Sequence, residues 1–192
     1  DRTPKDQILQ RLEGADAVFT NKTPLNRETL EKAPQLRFIG VLATGYNIVD
    51  TQAAKERGIP VANVPAYSTA SVVQLTFALL LEICHHIGHH SEAVHAGRWE
   101  TNDDWCFWDY PLIELAGKTI GIIGMGNIGS KVARIAEAFG MKVCYFSTSG
   151  TGHCKDYPCL SLEELLRVSD IVSIHAPLNE RTKNLIGKEQ LA

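Results

Sequence analysis

One hexapeptide constrains this chain more than any other stretch. Gly124-Met125-Gly126-Asn127-Ile128-Gly129 follows the apolar run Thr119-Ile120-Gly121-Ile122-Ile123 and opens a helical pattern. That pattern places Ile128, Val132, Ile135, Ala136 and Phe139 on one face and stops at Gly140. A doubly buried strand, a glycine turn and a helix in that order begin a parallel βαβ unit. Each glycine has its own task in such a turn. Gly124 permits the tight bend, Gly126 lets a pyrophosphate approach the backbone, and Gly129 lets helix and sheet pack closely. The helix N-terminus then meets the phosphates with free N–H groups and a partial positive charge. In this setting the motif points to a dinucleotide, bound at Gly124, Gly126 and Gly129.

The second half of the chain continues the pattern. Val143-Cys144-Tyr145-Phe146 reads as the next strand, Ser161 with Glu164 as a capping box opening a helix over Leu162 to Val168, and Ile171-Val172-Ser173-Ile174 as the third strand of one βαβαβ half. An acidic residue is expected roughly 20 residues beyond the first glycine to hold the adenosine 2′-hydroxyl. Ser147 occupies the end of that strand instead, followed by Thr148, Ser149 and Gly150. A carboxylate about 4 Å from a 2′-phosphate would repel it by roughly 4 kcal/mol per unit charge at an effective dielectric of 20. Ser147 removes that barrier and offers a donor, and no arginine follows immediately to clamp a phosphate. The cofactor expected is therefore NAD or NADP, with NADP tolerated or preferred rather than demanded.

The first half is also α/β. Ala17 to Thr20, Phe38 to Leu42 and Val61 to Val64 read as strands, Asn26 to Lys32 and Asp50 to Arg57 as helices, and Gly58 and Pro60 punctuate the last turn. One long helical pattern runs from Thr69 to about His95, apolar enough between Leu75 and Leu81 to be packed on more than one side and to lie between two domains. Ala96 to Gly117 is irregular and rich in Trp99, Trp105, Phe107 and Trp108, which suits a boundary or an interface arm.

Composition narrows the function. A chain of 192 residues with a formal charge of -3 has no basic surplus for phosphate backbones, so neither nucleic acid nor an anionic membrane is expected as a partner, and a small molecule fits better. The longest apolar stretch, Leu75 to Ile83, is broken by Thr76 and Glu82 and falls short of the ~20 residues of a membrane span. Five cysteines, an odd number without a repeating framework, suit reduced thiols. With no leader visible at Asp1, the expected compartment is the cytoplasm.

Further stretches carry a resemblance. They are Val41-Leu42-Ala43-Thr44-Gly45-Tyr46-Asn47, Asn63-Val64-Pro65 leading into Ser71-Val72-Val73-Gln74, and Leu115-Ala116-Gly117-Lys118-Thr119 before the glycine turn. After it come Ser169-Asp170-Ile171-Val172 and His175-Ala176-Pro177, running on to Thr182 and Gly187. Across essentially all of its length the chain resembles the D-isomer-specific 2-hydroxyacid dehydrogenases, in particular the glycerate dehydrogenase and hydroxypyruvate reductase branch. Gln74 departs from the usual Glu of that family, and Ser147 from the Asp of its NAD users.

The resemblance implies two Rossmann-like or flavodoxin-like parallel-sheet domains, both incomplete in this chain, as an internal fragment of a longer enzyme. Residues 1–97 would be a partial substrate domain, and 98–192 the adenosine half of the dinucleotide domain. The activity implied is hydride transfer between NAD(P) and a small D-2-hydroxy or 2-oxo acid, in a homodimer. A non-catalytic dinucleotide-binding corepressor or sensor of the same fold is the alternative, and formate dehydrogenase is disfavoured by Ser68, where its pocket uses Asn. By position, the amides of Thr44 and Gly45 would hold the substrate carboxylate, where adjacent N–H groups form an anion nest and Gly45 can take unusual dihedrals. Asn127 and Ile128 would line the pyrophosphate, Ala176, Pro177 and Thr182 would lie against the cofactor, and Thr69 would approach it. The family's catalytic Arg, Glu and His are expected beyond the third coenzyme-domain strand, so no catalytic residue is assigned in this chain.

Other features read as structural. His175 ends a strand at the cofactor edge but does not match the catalytic His. Cys84, His85, His86, His89 and His90 include an i, i+4 spacing open to zinc, yet a polar helix end explains them as well, and no metal is assigned. Cys154 and Cys159 have no second pair. Lys22, just after the first strand, faces either the carboxylate cleft or solvent.

Overall fold

The apolar runs become two parallel three-stranded sheets in a computed structural model that describes residues 3–191. The chain parts into two units, one ending at Ser68 and the other starting at Thr69. In the first, β1 (Ala17–Thr20), β2 (Phe38–Val41) and β3 (Val61–Asn63) lie side by side in that order. Phe38 is opposite Ala17, and Val61 opposite Ile39. Between them run α2 (Arg27–Glu31), capped by Asn26 on the Thr29 N–H at 2.9 Å, and α3 (Thr51–Glu56), capped by Asp50 on the Ala53 N–H at 2.8 Å. A short α1 (Ile8–Leu12) precedes them, with Ile8 and Leu12 buried. Leu25, Leu30, Ile39, Val41 and Ala54 fill the core.

The second unit holds α4 (Thr69–His85), α5 (Ile87–His95), β4 (Thr119–Ile123), α6 (Asn127–Ala138), β5 (Lys142–Phe146), α7 (Leu162–Val168) and β6 (Ile171–Ile174). The Ser161–Glu164 capping box is formed as expected. Five features differ from the sequence expectations. The continuous helix from Thr69 to His95 is two helices bent by 65° at His86, whose φ of 49° is left-handed. The break is braced by the Glu82 carboxylate, which accepts the Gly88 N–H at 3.1 Å. Within its unit α4 buries a single face, Val73, Phe77, Leu80 and Cys84, while Leu75, Leu79 and Ile83 form an exposed stripe.

On α6 the buried residues are Gly129, Val132, Ala133 and Ala136; Ile135 and Phe139 are partly exposed, Phe139 stacking on Phe77. Because α4 packs on α6, the units divide at Ser68 and not at residue 97. The third strand, finally, crosses the sheet. β6 pairs with β4, and the outer edge of β5 is bridged by Pro158, Cys159 and Leu160 at Tyr145, giving the order β5-β4-β6. The chain therefore contains the reversal of strand order itself, beyond the adenosine half alone. At such a reversal a crevice opens at the carboxyl ends of the strands.

The irregular arm after α5 is held by charge. Asp109 Oδ2 accepts from Arg98 Nη1 and contacts His89 Nε2, each at 2.5 Å. The Arg98 guanidinium first, and His89 second, hold this carboxyl down to about 2. A depressed carboxylate stabilises above its ordinary titration range, and that stabilisation is lost as pH falls toward 2. All three tryptophans, Trp99, Trp105 and Trp108, lie in this arm. Their fluorescence should shift as pH drops from about 4 to about 2, and Asp109→Asn should remove that step. An identical acid transition in the variant would refute the pairing.

Candidate dinucleotide site

The site is built on the end of β4, where Ile123 is fully buried and the backbone turns at Gly124 with φ of 97°. The Gly124 N–H donates to the Phe146 carbonyl at 3.0 Å, which ties the turn to the end of β5. A Cβ at Gly124 would stand 2.8 Å from the His175 carbonyl oxygen and 3.1 Å from Ala176 Cα, so the chain leaving β6 passes directly over it. A Cβ at Gly129 would stand 2.1 Å from the Gly124 carbonyl oxygen. At Gly126, by contrast, nothing lies within 4 Å. Two glycines are thus locked by their neighbours, and the third faces open space. Gly126 also offers no side-chain cap to α6, which leaves the first-turn N–H groups at Asn127 and Ile128 for an anion. This cradle fits a pyrophosphate.

Of the expected cofactor residues, Ala176 lies against Gly124, and Ser147 follows Phe146, whose carbonyl accepts the Gly124 N–H. Ser147 follows β5, half-buried, with its hydroxyl donating to the Thr151 carbonyl at 2.6 Å and 3.1 Å from Ser149 Oγ. Ala176, Pro177 and Thr182 line one cavity of about 300 Å³ together with Ile174 and Ile186. Thr69 is buried at the start of α4. His175 hydrogen-bonds Ser173 Oγ through Nε2 at 2.8 Å, and burial pushes its imidazole below its ordinary value, toward the neutral form. Its contribution to the site is the backbone that closes over Gly124.

In the first unit Thr44 and Gly45 follow β2, where the Thr44 carbonyl accepts from Asn63 Nδ2 at 2.8 Å and the Thr44 hydroxyl donates to the Val64 carbonyl at 3.2 Å. Gly45 is not in the left-handed region, so the expected dihedral freedom is not used there, and a Cβ would meet only Asn47 Oδ1, at an ordinary 3.5 Å. Lys22 lines a separate cleft of about 770 Å³ with Phe19, Thr20 and Asn21. Among the described residues no group of three His, Cys, Asp or Glu could hold a metal, and all five cysteines are free. No single helix among them is long and apolar enough to cross a membrane.

One residue beside the site had no sequence signal. Arg181, in the loop after β6, donates from Nη1 to the Ser149 carbonyl at 2.7 Å. The two residues are 32 positions apart, and only the crossing of β6 to the far side of β4 sets the course of the loop between them.

Fold and cradle together define a dinucleotide-binding α/β protein. Residues 77–192 match the family described as D-isomer specific 2-hydroxyacid dehydrogenase, NAD binding domain, and the chain belongs to the D-isomer specific 2-hydroxyacid dehydrogenase family. Over 192 residues it is 54% identical to hydroxypyruvate reductase of Blautia hydrogenotrophica, which covers 99% of this chain and 60% of that protein. Over 186 residues it is 39% identical to glycerate dehydrogenase of Methylorubrum extorquens, covering 97% of this chain and 58% of that one. A solved structure of an acyclic imino acid reductase in complex with NADPH and D-Arg matches with a TM-score of 0.86 at 31% identity, covering 100% of this chain and 60% of that one. The chain spans about three fifths of the length of these relatives.

Proposed function

We propose that the protein carrying this chain transfers hydride reversibly between a nicotinamide dinucleotide and C2 of a small D-2-hydroxy acid, with D-glycerate and hydroxypyruvate as the substrate pair. The observation that carries this reading is the cradle of Gly124, Gly126 and Gly129; the identity to hydroxypyruvate reductase supports the choice of substrate. When bound, the nicotinamide supplies the hydride. The chain's own residues bind and orient. The α6 N-terminus neutralises pyrophosphate charge, and Ala176, Pro177 and Thr182 form an apolar wall with one hydroxyl beside it. Residues up to 68 contribute the carboxylate nest at Thr44 and Gly45, and residues from 69 the cofactor site, with Thr69 at its edge. Adjacent backbone N–H groups suit a carboxylate because they carry fixed partial charge without a side chain to move.

A second copy of the chain is the partner proposed for the arm. A groove of about 490 Å³ lined by His85, Val94, Trp99, Phe107, Trp108 and Leu112 leaves Trp99 and Trp108 more than half exposed. Exposed aromatic surface of this kind suits a homodimer interface. Five free thiols support a reducing compartment, the cytoplasm.

Gly45→Val tests the nest. It should raise the KM for hydroxypyruvate by about tenfold, with the Kd of the dinucleotide changed less than about twofold, because the two ligands use separate parts of the chain. Loss of dinucleotide affinity with an unchanged KM would reverse the assignment.

A further inference from the structure

The loop that carries Arg181 is braced from within. Asn179 Oδ1 accepts the Arg181 N–H at 2.9 Å and the Thr182 N–H at 3.2 Å, while the Thr182 hydroxyl accepts the Asn179 N–H at 2.9 Å and donates to the Pro177 carbonyl. This bracing sends the Arg181 side chain across to the turn after β5, where it donates to the Ser149 carbonyl. Gly150, with φ of 84°, lies under the guanidinium, and a Cβ there would stand 3.5 Å from Nη1. Among the described residues no carboxylate pairs with Arg181. One N–H is engaged by the Ser149 carbonyl, and the rest of the fork stays available on an exposed side chain.

Ser147 and Ser149 present their hydroxyls on the same turn, and His153 Nε2 lies 3.3 Å from Ser149 Oγ. A guanidinium fork beside two hydroxyls is a receptor for a dianionic phosphate. It stands at the strand end where a dinucleotide's adenosine ribose is held. We propose that Arg181, with the hydroxyls of Ser147 and Ser149, receives the 2′-phosphate of NADPH and makes this protein select the phosphorylated cofactor. The inference rests on the dinucleotide reading above and adds to it which dinucleotide is preferred. It also supplies the arginine missing from the sequence directly after Ser147.

The test is calorimetric titration of the protein and of Arg181→Met and Arg181→Lys with NADPH, NADH, 2′,5′-ADP and 5′-AMP. The unaltered protein should bind NADPH at least about tenfold more tightly than NADH, and 2′,5′-ADP more tightly than 5′-AMP by a similar factor. Arg181→Met should bring both ratios down to about threefold or less, and Arg181→Lys should keep part of each, since it holds the charge without the fork. Ser147→Asp should reverse the preference toward NADH through like-charge repulsion. Equal affinity for the two cofactors in the unaltered protein would overturn the proposal and leave the dinucleotide site standing. Equal weakening of all four ligands in Arg181→Met would also overturn it, showing that Arg181 only braces the turn. Failure of the folded protein to bind any of the four would overturn the dinucleotide reading itself.

Discussion

Gly129→Ala should weaken dinucleotide binding by about a hundredfold and lower the thermal midpoint as well. The Cβ it adds would stand 2.1 Å from the Gly124 carbonyl oxygen, a backbone atom with no freedom to rotate away, and 3.1 Å from Cγ2 of Ile122, which is fully buried on β4. Relief requires the start of α6 to move away from the strand by about 1 Å, and overpacking of this kind costs roughly 1–3 kcal/mol. The same movement turns the first-turn N–H groups away from the pyrophosphate. Gly126→Ala separates the two effects. Its Cβ has nothing within 4 Å, so the thermal midpoint should hold while the methyl blocks the backbone approach and affinity falls. Titration by nicotinamide fluorescence, with circular dichroism for the midpoint, reads both variants. Affinity within about threefold of the unaltered protein in both would remove the cradle from the site.

How much of this was legible in the sequence depends on whether the information is local. The strand β4, the glycine turn and the capping box at Ser161 are fixed by neighbours within a few residues, and the structure shows each at its expected place. The five-residue α1 was not visible, because its two buried residues, Ile8 and Leu12, are too few to set a period. The bend at His86 was hidden for a different reason. The left-handed residue is a histidine and not a glycine, and it is held by a carboxylate three positions before the end of one helix and a backbone N–H just inside the next.

Strand order is less local still. The sequence shows that Ile171 to Ile174 is a strand, but apolar residues facing both sides of a sheet do not say which edge they will join. That β6 joins β4 and not β5 is what brings His175 and Ala176 over Gly124. The choice of Ser147 as the end of β5 was readable from spacing, whereas its neighbour Arg181 was not, since their approach depends on that crossing. At Gly45 the sequence indicated unusual dihedrals, and the structure shows ordinary backbone with room for a Cβ.

The reading of this chain as part of a hydroxypyruvate-reducing dehydrogenase carries the largest expected effect, because binding and turnover come apart. The α6 cradle, the turn after β5 and the wall at Ala176 and Pro177 are all on this chain, so it should bind a dinucleotide. No residue of this chain has been assigned to proton transfer or to polarising the substrate carbonyl, and orientation and general acid catalysis each contribute on the order of a hundredfold or more to rate. The 192-residue chain expressed by itself should therefore bind NADPH saturably, with turnover of hydroxypyruvate at least about a thousandfold below that of the hydroxypyruvate reductase it resembles.

The most direct measurement is the oxidation of NADPH by the protein carrying this chain in the presence of hydroxypyruvate, followed by nicotinamide absorbance, with the product resolved on a chiral column. The account expects NADPH consumption in proportion to hydroxypyruvate and formation of D-glycerate alone. Saturable NADPH binding without any consumption, across hydroxypyruvate and other small 2-oxo acids, would contradict it and make the protein a dinucleotide-binding protein without dehydrogenase activity.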